Sequence, residues 1–105
     1  MVPKKIRNSL KRFKEALRKA QFPSMRIVIF GSYARNEART DSDIDICLIS
    51  KTFRGGNKEK YRIKATIIAY EIDPRLQVVT TNPEELRTNG LSSLLSHIRK
   101  DAIAA

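Results

Sequence analysis

Asp43 and Asp45 stand one residue apart in the run Asp43-Ile44-Asp45-Ile46. In an extended chain, residues i and i+2 point to the same face, about 6–7 Å apart. Both carboxylates therefore share a face, while Ile44 and Ile46 turn to the other. Two like charges at that spacing repel unless a cation neutralises them, and hard oxygen ligands suit Mg²⁺ or Mn²⁺. Ions held this way clamp the attacking and leaving oxygens of a phosphoryl-type displacement. A solvated acidic edge gives the same pattern, so the pair needs company. Gly31-Ser32 supplies some. A glycine lets the backbone approach a ligand closely, and the N–H groups of a helix starting just after it would face a phosphate. Arg35, one helical turn on from Ser32, adds a charged donor for that phosphate, although taken alone it reads as a surface arginine.

These residues need elements to hold them. Ile6, Leu10, Phe13, Leu17 and Ala20 recur every three or four residues and predict a first helix, begun near Pro3 and ended by Pro23. Residues 25–30 form a β-branched run stopped by Gly31, which reads as a buried strand. Residues 32–39, rich in Ala, Arg and Glu, predict a short helix starting at the turn. Residues 43–50 read as a second strand and 76–80 as a third. Residues 58–72 carry isoleucines that suit a strand, yet Tyr61, Ala65, Ile68 and Ile72 keep helical spacing, and helix is the reading preferred. Asn82-Pro83-Glu84-Glu85 has the chemistry of a cap opening a helix. Leu91, Leu94, Leu95 and Ile98 space a last helix, in which His97 reads as a packed or half-exposed residue. Strands interleaved with helices predict an α+β fold, a small mixed sheet flanked by helices, with residues 1–105 as one domain.

Composition sets the bounds. The 105 residues are 41% hydrophobic and 30% charged, as a folded soluble chain would be. No run is long enough to cross a bilayer, and no apolar stretch follows the basic N-terminus to make a secretory leader, so the chain reads as cytoplasmic with no membrane partner. Cys47, the one cysteine, lies in an apolar run and reads as a small core residue. The net charge is +10, unevenly spread: residues 1–26 hold nine Lys/Arg against Glu15 alone. Such a surface fits either a polyanionic partner or plain solvation.

Taken together, Gly31-Ser32-Tyr33-Ala34-Arg35 and Ser42-Asp43-Ile44-Asp45-Ile46 resemble the signature of the DNA-polymerase-beta-like nucleotidyltransferase superfamily, and within it the minimal nucleotidyltransferases. The resemblance runs over residues 27–49, and more loosely through Pro83-Glu84-Glu85-Leu86 and Ser93-Leu94 to Ile98. It implies that Gly31 and Ser32 hold the β- and γ-phosphates of an NTP, with ATP the expected one, and that Asp43 and Asp45 bind Mg²⁺ or Mn²⁺. It implies transfer of a nucleoside monophosphate to an acceptor hydroxyl with release of pyrophosphate. It also implies a small helical HEPN-type partner, with this chain as antitoxin to an RNase-like toxin. Two positions depart from the pattern. Asn36 stands where glycine is usual, a change that a left-handed turn tolerates. Gln77 stands where the third carboxylate is expected; its amide oxygen can ligate a cation but carries no charge and takes no proton. Glu71 and Asp73 are the candidates to replace it.

Three functions follow from the same residues: a nucleotidyltransferase, a nucleotide-binding partner subunit with a weak or inactive site, and a basic RNA-binding protein. At this length the acceptor must come from a partner, and self-association is left open by the sequence.

Overall fold

The computed structural model describes residues 2–88 and 93–105. A helix α1 (Lys4–Lys19) leads into strand β1 (Arg26–Phe30), and β2 (Ile44–Ile49) returns beside it. Helix α2 (Gly56–Ile72) carries the chain to β3 (Leu76–Thr81), followed by α3 (Pro83–Thr88), α4 (Ser93–Asp101) and a two-residue strand β4 (Ile103–Ala104). The sheet order is β3-β2-β1-β4. β1 is antiparallel to β2 and β4, while β2 and β3 run parallel, as the intervening helix requires. This mixed sheet flanked by helices is the α+β architecture expected.

Strand alternation divides the core in two. Ile29 of β1, Ile44, Ile46 and Leu48 of β2, and Leu76 and Val78 of β3 meet Ile6, Leu10, Phe13 and Leu17 of α1 and Ala65 and Ala69 of α2. The intervening residues, Val28 and Phe30 of β1 and Cys47 and Ile49 of β2, pack against Leu95 and Ile98 of α4. Residues 58–72 are helical, as preferred. Only the small side chains of Ala65 and Ala69 are fully buried there, which seats α2 close to the sheet. The cap at Asn82 also forms: its Oδ1 accepts the Glu85 N–H at 2.9 Å.

Two features differ from expectation. Residues 32–39 do not form a helix. A single turn closes where the Arg35 N–H donates to the Gly31 carbonyl at 3.1 Å, and Asn36 then takes φ 59°. That left-handed residue ends the turn and reverses the chain, and burial of Tyr33 (7% exposed) anchors it. Strand β4 leaves no signal in the sequence: two residues, Ile103 and Ala104, are too few for an alternation pattern to register, and they are held by pairing with Val28 and Ile29. Of the last helix, Leu95 and Ile98 are buried as spaced. Leu91 and the side chain of Leu94 lie outside the described residues.

Candidate functional site

Antiparallel pairing sets Phe30 opposite Asp45, and parallel pairing sets Asp45 beside Gln77. Phe30, Asp45 and Gln77 thus form a row across three adjacent strands on the α4 side of the sheet. Neighbouring strands lie about 4.8 Å apart, so Gln77 is the nearest side-chain position across β3 from Asp45. Asp43 precedes β2 by one residue and is exposed, while Ile44 and Ile46 beside it are fully buried.

Gly31 ends β1 with φ 76°, a conformation that side chains rarely adopt. A Cβ built there would lie 2.2 Å from Asp45 Oδ2. The phosphate-type turn and the carboxylate pair are therefore in direct contact, and only a glycine leaves Asp45 its place. Burial, with the Asp43 charge as second cause and Arg35 opposing, pushes the Asp45 carboxyl above its ordinary value. A carboxylate crowded in this way by a second one is what a divalent cation relieves.

Arg35 lies within electrostatic reach of Asp45. Its Nε donates to Glu37 Oε1 at 2.9 Å, and its Nη1 stands 3.8 Å from Asp101 Oδ2. With Gly31, Phe30, His97, Lys100 and Asp101 it lines an open pocket of 470 Å³. Ser32 is half-buried in the turn, and its carbonyl accepts the Glu37 N–H at 2.8 Å. The amides available at this turn belong to one turn of chain and not to a helix end, so less aligned dipole faces a ligand than the expected helix would have supplied.

The two substitutes considered for Gln77 are held elsewhere. Asp73 is 8% exposed and accepts from Arg75 Nη2 at 2.8 Å, from the Arg75 N–H at 3.0 Å and from Ser9 Oγ at 3.1 Å. Hydrogen bonds from Arg75 hold its carboxyl at about 2. Glu71 is exposed on α2, which packs on the opposite face of the sheet from Asp45. Among the described residues, no cluster of three or more His, Cys, Asp and Glu side chains assembles. The donor set at the site is two carboxylates with an amide oxygen in register. That set suits Mg²⁺, which binds through one or two carboxylates and completes its shell with water and substrate phosphates.

His97, Lys100 and Asp101 were not singled out as site residues by sequence. They sit at i, i+3 and i+4 on the side of α4 turned from buried Leu95 and Ile98, with His97 and Lys100 exposed and Asp101 half-buried. What the spacing alone does not give is that α4 docks beside β1. Cys47 is fully buried, and burial pushes its thiol up to about 12, as an inert core residue requires.

A model of the nucleotidyltransferase domain family matches residues 10–102. The crystal structure of a candidate nucleotidyltransferase from Sulfolobus solfataricus superposes with a TM-score of 0.50 at 22% identity, covering 94% of this chain and 83% of that one. That likeness speaks for the fold. No curated protein matches this chain. No described helix is long and apolar enough to cross a membrane.

Proposed function

The chain belongs to the nucleotidyltransferase domain family, and on that premise we propose that it transfers a nucleoside monophosphate from ATP to a hydroxyl group. The acceptor oxygen bonds to the α-phosphorus as the bond to the bridging oxygen breaks, pyrophosphate departs, and the hydroxyl proton is released. The observation that carries this reading is the contact between Gly31 and Asp45, which joins a close-approach backbone turn to a strained carboxylate pair. In this reading Gly31 and Ser32 hold the β- and γ-phosphates through backbone N–H groups. Arg35 exchanges its solvent-exposed partner Glu37 for phosphate oxygens. Asp43 and Asp45 would hold Mg²⁺ or Mn²⁺, which when bound supplies neutralising charge for the phosphates and the departing pyrophosphate. Gln77 completes the row as a neutral ligand. Most of the catalysis is then positioning and charge complementarity.

Gln77 also favours a second reading, in which the chain is a partner subunit whose nucleotide site turns over weakly or not at all. In both readings the partner that the family resemblance implies is a small helical HEPN-type protein, to which this chain would be the antitoxin. Pyrophosphate release from ATP and Mg²⁺, with and without that partner, separates them. Wild-type release well above that of the Asp43→Asn/Asp45→Asn variant supports the enzyme. If a third carboxylate is what the site lacks, Gln77→Glu raises release by about 10²–10⁴-fold, the usual worth of a general base. Release no higher than in the double variant, from both wild type and Gln77→Glu, leaves only the weak-subunit reading.

A further inference from the structure

Helix α2 has two unlike sides. Ala65 and Ala69 are fully buried against the sheet, whereas Ile63, Ile67 and Tyr70 are 48%, 57% and 66% exposed. At 3.6 residues per turn, positions 63, 67 and 70 form one stripe, directly opposite the buried alanines. Three large apolar side chains in register on one helix face are an anchor pattern for another helix. They are also three of the four large hydrophobics exposed among the described residues. The flanks of the stripe differ in charge. On one side Glu59 is ion-paired with Arg62 and is neutral as a unit. On the other stand Lys60 and Lys64, and beyond them a cleft of 510 Å³ between α1 and α2 whose wall includes Lys11, Arg12 and Lys19, with Glu15, ion-paired to Arg18, as its one acid. Glu71 is the acid on that side of α2.

We propose that this face docks an amphipathic helix of another protein, with an apolar stripe set on Ile63, Ile67 and Tyr70 and acidic residues along the edge facing Lys60, Lys64 and α1. The inference is independent of the nucleotide chemistry, because α2 covers the sheet face opposite Asp45. The charge decides among occupants. A second copy placed antiparallel would bring lysine flanks together, and one placed parallel would set them against a Glu59–Arg62 flank that is already paired. In both cases two chains of net charge +10 would have to approach. A nucleic acid would gain the cations and one stacking plane, Tyr70, but Ile63 and Ile67 would offer its bases none. An acidic helix satisfies both stripe and flank.

The test uses two synthetic amphipathic peptides with the same leucine stripe, one flanked by glutamate and its twin by lysine, titrated against the whole protein by fluorescence anisotropy. The glutamate peptide should bind at least about tenfold tighter than its twin, and less tightly as salt rises. Ile63→Ser/Ile67→Ser/Tyr70→Ser should abolish binding while circular dichroism stays unchanged. Lys60→Glu/Lys64→Glu should leave the stripe intact and swing the preference toward the lysine twin. Equal binding of both peptides, no binding, or binding that survives the stripe variant would overturn the proposal. So would sedimentation showing a dimer, or anisotropy showing an RNA oligonucleotide complex, that the stripe variant abolishes.

Discussion

The two faces of the sheet are made by the same strands and end differently. On the α1–α2 side, Ile44, Ile46 and Leu48 of β2 are wholly buried, sealed by Phe13 and Phe53, which are themselves wholly buried. On the α4 side the alternate residues of that same strand read Asp45, Cys47, Ile49, and the cover of Leu95 and Ile98 reaches Cys47 and Ile49. Asp45 stays half-buried and Gln77 exposed. The proposed site lies where the cover runs out, one residue from a sealed core. The difference has a physical use: holding two repelling carboxylates together costs free energy, and a rigid closed face underneath is what keeps them from moving apart.

Substitutions on the two sides should therefore fail in different ways. Phe13→Ala, on the sealed side, should cost about 3–5 kcal/mol in denaturant unfolding, from lost burial and an unfilled cavity. Nucleotide affinity per folded molecule should stay unchanged. Gly31→Ala, on the open side, should cost roughly 1–3 kcal/mol for the positive φ and displace the Asp45 carboxylate. Its transfer rate should fall by on the order of 10²-fold, the scale of losing one charge-stabilising contact. A Gly31→Ala protein with wild-type activity would break the link between turn and pair.

Asp73→Asn sharpens the contrast between the acids. The Asp73 carboxyl is held at about 2 instead of 3.8 by Arg75, so it contributes about 2 kcal/mol. The sign follows from the depression: the contribution is full above about pH 5 and is lost as pH falls through the folded value near 2. Thermal unfolding of wild type and Asp73→Asn should differ at pH 7 and converge below pH 2. Transfer activity should be unaffected by Asp73→Asn and by Glu71→Gln, since neither side chain shares a face with Asp45. Asn82→Ala removes both the cap of α3 and the buried bond from Asn82 Nδ2 to the Phe53 carbonyl, and should cost roughly 1–3 kcal/mol with transfer activity unchanged.

How much of this is legible in the sequence depends on how local the signal is. The alternation Asp43-Ile44-Asp45-Ile46 fixes which side chains share a face with no reference to the rest of the chain. The first helix, the three main strands and the Asn82 cap are local patterns too. The stretch 32–39 misleads because its Ala, Arg and Glu favour helix weakly, while the left-handed Asn36 and the burial of Tyr33 are tertiary demands. That Gln77 stands beside Asp45 depends on the register of two strands joined by a 17-residue helix, and β4 depends on its partner strand for its existence. The placing of His97 and Lys100 against Gly31 follows from how α4 docks, which helix periodicity does not specify.

The central claim is that Asp43 and Asp45 form one cation-dependent nucleotide site. Calorimetric titration of ATP into wild type and Asp43→Asn/Asp45→Asn, each with Mg²⁺ and with EDTA, tests it most directly. Wild-type affinity should depend on Mg²⁺ and should weaken as pH falls through the raised Asp45 pKa, at a higher pH than an ordinary aspartate would give. The double variant should bind ATP equally with and without the metal. It should also be more stable than wild type at neutral pH, because burial and Asp43 both disfavour the Asp45 charge in the fold. Equal wild-type affinity in Mg²⁺ and in EDTA would contradict the account.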